Sequence, residues 1–243
     1  SQWVSADEAN KMSPWLDTAS TEKILFTPGE GWCDPYLLGT LYARSAKQLG
    51  AEFLQDTEVT ALLHEGDTVT GVHTTAGTIH AGCVVLATGA WAPVLARPLG
   101  ISIPMAAVRS QYWITDRNPM FPEQSPIVLL PDAQSYARPN HGALLFGIRE
   151  RNSLVEAPDR IPANVEDYQF SPDRGMADLA GVIDKLARFL PAVYDIPLKH
   201  YIAGFSCYTP DNYLSMGMPR GIKNLLLATG CVGAGDRKST RLN

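Results

Sequence analysis

Metal-ligand spacing is missing from this sequence: its four cysteines (Cys33, Cys83, Cys207, Cys231) lie far apart with no C-x-x-C, and its five histidines are equally scattered. A metal site is therefore not indicated, and a reducing, cytoplasmic compartment is expected. Basic charge is also short, with 20 Lys and Arg against 25 Asp and Glu and no basic stripe. Nucleic acid is excluded as the main partner, because counterion release needs clustered cations. No run approaches the roughly 18 apolar residues of a membrane span, and the opening "SQWVSADEAN" lacks the regions of a signal peptide. No solenoid repeat or low-complexity tract occurs. What is present is an ordinary globular balance, 45% hydrophobic and 19% charged over 243 residues, enough for one large domain or two small ones.

Residues 5–16 read as a short helix broken by Pro14. A second helix is well marked: Asp34 suits the N-cap, Pro35 the first helical position and Gly50 the left-handed C-terminal position. Leu37, Leu38, Leu41, Tyr42, Ser45 and Leu49 share one face. A strand is expected over 51–54. The stretch 58–81 alternates apolar and polar residues around Glu65-Gly66-Asp67 and Ala76-Gly77, the signature of an antiparallel meander. From Pro104 the texture shifts to alternating runs ("AAVRSQYWIT", "PIVLL", "SYARP", "ALLFGIRE"), an antiparallel sheet exposed on one side. His141 reads as a hairpin-turn residue. An amphipathic helix is expected over 175–191, followed by a strand from His200. The polar, aperiodic tail 236–243 reads as non-native and is set aside from the fold; its Asp236, Arg237, Lys238 and Arg241 carry +2, so the rest of the chain carries −7 instead of −5.

Two stretches share a tetrapeptide. "VVLATGAW" (84–91) and "NLLLATGCVGAG" (224–235) each run through an apolar strand into Leu-Ala-Thr-Gly. Both strands read as buried on both faces. In open α/β sheets ligands bind beyond the carboxyl ends of strands. Two identical strand ends predict one shared crevice, where glycine lets backbone N–H groups approach an acceptor-rich flavin or pyrophosphate. Trp91 and Pro93 would cap it. Glycines after strands also serve as plain turns, and a single copy would carry that reading.

The stretch from "DPYLLGTLYARSAKQLGAEF" to "CVVLATGAWAP", together with "LPDAQSYARPNHGALLFGIRE", "YTPDNYLSMG" and "NLLLATGCVGAG", resembles the FAD-dependent D-amino-acid oxidase superfamily, which includes glycine, sarcosine and dimethylglycine oxidoreductases. The resemblance covers nearly all of residues 5–235. It implies an α/β (mixed α+β) fold: a discontinuous, Rossmann-like FAD-binding domain (31–103 and 209–235), an antiparallel substrate-capping domain (104–208) and a remnant (1–30) packed near it. Two family features are missing. No G-x-G-x-x-G turn occurs, and Ala234 stands where the family has a His before its last helix. The chain is therefore expected to be a fragment truncated at both ends, lacking the N-terminal dinucleotide-binding segment and the C-terminal helix.

The resemblance further implies hydride transfer from a carbon beside nitrogen to FAD, with a small amino acid or N-methyl amino acid as substrate and Val59, Ala87, Thr88, Gly89, Ala90, Trp91, Gly230 and Gly233 around the cofactor. A substrate carboxylate calls for the fork of an arginine. Arg109, Arg138 and Arg149 are available, and Tyr136, two residues before Arg138, projects to the same face of a strand; Tyr136, Arg138 and Arg149 are the catalytic candidates. Oxygen-reducing relatives carry a Lys where Leu145 stands, which points to the dehydrogenase type. Cys207 lies near where some sarcosine oxidases attach FAD, though a buried free thiol is the plainer reading. The rivals are a piece that holds no FAD or only binds a partner, and a flavin monooxygenase suggested by "GAGD" (233–236).

Overall fold

The computed structural model describes residues 1–150 and 152–233. In chain order its first elements are β1 (Gln2–Val4), α1 (Ala6–Met12), β2 (Ile24–Phe26), α2 (Pro35–Gln48), β3 (Val59–Glu65), β4 (Thr68–Thr74), β5 (Gly77–His80), β6 (Val84–Leu86) and α3 (Ala92–Ala96). There follow β7 (Ala106–Thr115), β8 (Val128–Leu130), β9 (Ser135–Asn140), β10 (Ala143–Ile148), β11 (Val155–Glu156), α4 (Pro172–Ala180), α5 (Ile183–Ala187), β12 (Leu198–Tyr208), β13 (Ser215–Gly217) and β14 (Leu225–Thr229). The expected mixed α/β composition with antiparallel sheets is present. The described residues form two compact units, the first from 1–51, 111–152 and 170–203, the second from 52–110, 153–169 and 204–233.

In the first unit, β10 pairs with β9 and with residues 111–114 of β7, all antiparallel. Directly paired residues share a face. One face carries Ala137, Phe146 and Trp113 into a core with Trp15, Leu144, Leu179, Leu186 and Leu190. The Trp113 and Phe146 rings stack there at 5.8 Å. β9 joins β10 through His141 (φ 52°) and Gly142 (φ 79°), a two-residue turn with both φ positive, as hairpins prefer. α1 starts at a capping box in which Ser5 Oγ accepts from Glu8 N and Glu8 reaches back to Ser5 N. Asp34 caps α2 by accepting from Leu37 N at 3.0 Å.

Several expectations fail here. Residues 51–54 form no strand. The N–H of Ala51 instead donates to Ala46 O (2.9 Å) to close α2, and 52–54 are exposed. The single helix over 175–191 is two: α4 ends at Gly181, and Val182 takes φ −129°, outside helical space, before α5. The apolar face of α2 buries nothing among the described residues, with Leu37 55% and Leu49 89% exposed.

In the second unit, β3, β4 and β5 make the expected meander. A separate sheet orders β13, β14 and β6, with β6 and β14 parallel. Val69 N donates to Lys223 O (3.1 Å) and Lys223 N to Asp67 O (2.8 Å), tying the meander to the start of β14. Leu62, Val69, Leu86, Ala92, Ala96 and Leu225 form its core. β6 and β14 are covered on one face only: Leu86 and Leu225 are buried, whereas Val85 and Leu226 between them are exposed. Successive side chains on a strand point to opposite faces, so covering one face leaves alternate residues out.

Candidate functional site

The two Leu-Ala-Thr-Gly stretches meet. In the parallel pair Leu225 lies opposite Val84, Leu226 opposite Val85 and Leu227 opposite Leu86. Beyond that pairing Ala87-Thr88-Gly89 leaves β6, while Ala228 and Thr229 complete β14 against β13 and Gly230 follows them. The Thr229 hydroxyl donates to the Gly89 carbonyl at 3.0 Å, joining the two ends directly. Gly89 (φ 52°) turns the chain into a short 3-10 turn through Trp91 that leads into α3. Gly230 (φ 72°) is required twice over: its backbone is left-handed, and a Cβ there would stand 2.7 Å from Thr209 Cγ2.

Around this edge Ala87 is exposed and Ala90 buried, while the Trp91 indole donates to Pro162 O at 3.2 Å. Val232 N donates to Cys207 O, and Gly233 (φ 69°) lies against the Tyr208 hydroxyl, 3.0 Å from where its Cβ would be. Thr209 to Asn212 form a turn, Asn212 N donating to Thr209 O. Thr88 Oγ1 is buried with no hydrogen-bond partner. A buried hydroxyl without a partner is costly, and a polar ligand edge would satisfy it. A cradle of glycines and small side chains with one unsatisfied hydroxyl fits the acceptor-rich rim of a flavin. Val59 stands apart from this sheet, opening β3 opposite Thr74. Cys207 is buried with Ala90, Ala107 and Ile161, and its burial, with Cys231 nearby, pushes its thiol up to about 11. Such a thiol stays protonated and is a poor nucleophile. Ala234 and Asp236, on which the truncated family motif and the monooxygenase reading turned, lie outside the described residues.

The open face of the first unit's sheet carries the other candidates. Alternation along β9 buries Ser135, Ala137 and Pro139 and leaves Tyr136, Arg138 and Asn140 half-buried on the opposite face. Cross-strand register sets Tyr136, Gly147 and Tyr112 in one row and Arg138, Leu145 and Ile114 in the next. The Arg138 guanidinium lies 3.8 Å above the Trp32 ring, and its Nη1 donates to Pro139 O (2.9 Å) and Asn140 Oδ1 (3.1 Å). These contacts occupy one nitrogen and one face, leaving the Nε–Nη2 edge for a planar, two-oxygen acceptor. Burial lowers the Arg138 pKa, while Tyr112, Tyr136, Asp34 and Glu123 favour its charge; guanidinium remains a cation throughout the physiological range.

Arg149 is exposed, just beyond the end of β10, with its N–H on Gln134 O. Arg109 is buried on the other face of β7, among residues 107, 109 and 111. Tyr112 and Trp32 were not among the residues picked out. The alternation of "RSQYWIT" puts Tyr112 in phase with Ser110 and Ile114 and could have found it. Nothing local to Trp32 announces its contact with a residue over a hundred positions away. Among the described residues no group of His, Cys, Asp and Glu could hold a metal ion, and no helix is long and apolar enough to cross a membrane.

Comparison with known proteins adds a family. The family model described as "FAD dependent oxidoreductase" matches residues 1–235. The chain is 26% identical to 4-methylaminobutanoate oxidase (formaldehyde-forming) of Paenarthrobacter nicotinovorans, over 94% of this chain and 27% of that protein. It is 24% identical to human mitochondrial dimethylglycine dehydrogenase, over 93% of this chain and 27% of that protein. The crystal structure of L-proline dehydrogenase from P. horikoshii superposes with a TM-score of 0.81 at 27% identity, over 96% of this chain and 60% of that one. The chain thus spans about a quarter of the length of these curated relatives and over half of this solved structure.

Proposed function

The chain belongs to the FAD dependent oxidoreductase family, and from that premise we propose that it is part of an enzyme oxidising the C–N bond of a small amino acid or N-methyl amino acid, with FAD as hydride acceptor. The observation that carries this reading is the shared strand edge, where Thr229 bonds to the Gly89 carbonyl and Gly230 stands beside it. When bound there, FAD would supply the hydride-accepting chemistry. Thr88, Gly89, Ala90, Trp91, Gly230 and Gly233 are the residues we assign to holding it, with Ala87 at the rim and Val59 the outlying candidate. On the first unit's face, the free edge of Arg138 would take the substrate carboxylate bidentately, steadied by Trp32 and Asn140. Tyr136 and Tyr112 would present hydroxyls beside it. The names of the relatives favour N-methylated amino acids as the substrate class. Leu145, cross-strand from Arg138, brings no cation to that face, in keeping with an electron acceptor other than oxygen.

A second reading, a piece that holds no FAD alone, draws on the exposed apolar face of α2. One experiment separates the two. The purified chain is loaded with FAD, cleared of free cofactor and mixed anaerobically with sarcosine, dimethylglycine, glycine or D-alanine. The proposed function predicts loss of the yellow colour with at least one of them. It also predicts that Arg138→Lys, which keeps the charge but loses the fork, raises half-saturation about tenfold or more. Colour that persists with all four, or an unchanged Arg138→Lys, contradicts it.

A further inference from the structure

A glycine inside a strand weakens it unless something needs the space. Gly147 is buried in the middle of β10, paired on one side with Tyr136 and on the other with Tyr112. Its φ lies outside the left-handed range, so the backbone does not demand glycine. The space does: an added Cβ would stand 2.4 Å from Tyr136 Cε1, 2.5 Å from Cζ and 2.6 Å from Oη. The hydroxyl end of the Tyr136 phenol thus lies flat across β10 where Gly147 has no side chain. Residues three or more atoms long at 136 would otherwise stand off the sheet, as strand side chains normally do.

We propose that Gly147 is a positioning residue whose missing side chain lays the Tyr136 phenol across the sheet, one row from Arg138 on the open face. Its bearing on catalysis rests on the reading of that face as the substrate side; the placement itself does not. The pair delivers a hydroxyl over β10, at the centre of the sheet, instead of leaving it over β9. The unit holds a second such pair, in which a Cβ at Gly175 of α4 would meet Tyr201 Cε2 at 2.5 Å. Tyr201 donates to Gln111 Oε1 and packs on Trp113, a core role, which makes Gly175→Ala a control for loosened packing.

The test is tetranitromethane nitration of the 243-residue chain, read by peptide mapping, with Tyr136 scored against the exposed Tyr213. Gly147→Ala should lift the phenol off the sheet and raise Tyr136 nitration severalfold, with a Tm lower by several degrees from overpacking. The same substitution in a Tyr136→Ser background should leave Tm unchanged, because the clash is gone. Gly175→Ala should lower Tm and leave Tyr136 nitration alone. Unaltered Tyr136 nitration in Gly147→Ala, an equal rise in Gly175→Ala, or an undiminished Tm loss in the Tyr136→Ser background overturns the placement. Should Gly147→Ala not fold, folding of the double variant supports the proposal and its failure to fold refutes it. Separately, sarcosine bleaching of the FAD-loaded chain that is indifferent to Tyr136→Ser sinks the substrate reading and leaves the placement standing.

Discussion

Cys207 shows how environment decides what a residue can do. The same side chain that suggested a flavin attachment point is packed among Ala90, Ala107 and Ile161, and burial raises its thiol from 9.0 to about 11. Cys33 and Cys83 are exposed. Iodoacetamide at pH 8 should therefore label Cys33 and Cys83 and spare Cys207, read by mass spectrometry of the folded chain; equal labelling of Cys207 would contradict its burial. Because the folded value lies above the ordinary one, the buried neutral thiol favours folding fully below about pH 9, and that contribution is lost as pH rises through 11. Arg138 illustrates the complementary case. A polar residue at a half-buried strand position is legible as a binding candidate, because alternation alone puts Tyr136 and Arg138 on one face. Its hold on Trp32 is not legible, because that contact depends on tertiary folding and not on any local pattern.

At the scale of elements, turns and caps were the readable part. Asp34-Pro35 begins α2, His141-Gly142 turns β9 into β10, and Gly66 and Gly77 punctuate the meander. Each rests on chemistry within four residues. What failed was longer in range. The break between α4 and α5 falls where Val182, just after Gly181, leaves helical space, and the apolar periodicity runs straight across it. Residues 51–54 follow α2 where a strand is expected, but a strand exists only with a partner, and none pairs with them. Gly71, in the centre of β4, offers a sharp test. Its φ is 156° and a Cβ there would stand 2.1 Å from the Ile79 carbonyl oxygen of β5. Backbone cannot step aside as a side-chain tip can, so Gly71→Ala should cost about 1–3 kcal/mol, roughly 3–10 °C in Tm for a chain of this size. Gly39, in the exposed interior of α2 with nothing within 4 Å, is the counterpart. Gly39→Ala should leave Tm unchanged or raise it, by up to about 1 kcal/mol in stability. A thermal melt in which both variants shift alike would contradict the packing described.

For the molecule as a whole, the scattered cysteines and histidines and the lack of a basic stripe point away from metal and nucleic-acid chemistry, and the paired strand ends point to one crevice. The identical tetrapeptides were legible because parallel strands ending together place like residues side by side, which the register of β6 and β14 shows. Their burial was misread: the sequence cannot say which face of a strand is covered, and Val85 and Leu226 are exposed. The open face of α2 follows the same logic: amphipathic spacing marks an apolar face, and the described residues leave it uncovered. The central claim is that the edge formed by Thr88, Gly89 and Gly230 holds a flavin. Titrating the purified chain with FAD while following flavin fluorescence tests it directly, with Thr88→Val as the near-isosteric comparison. Saturable quenching that weakens threefold to tenfold in Thr88→Val, the worth of about one hydrogen bond, is the predicted result; no saturation, or identical affinity in both proteins, would contradict it.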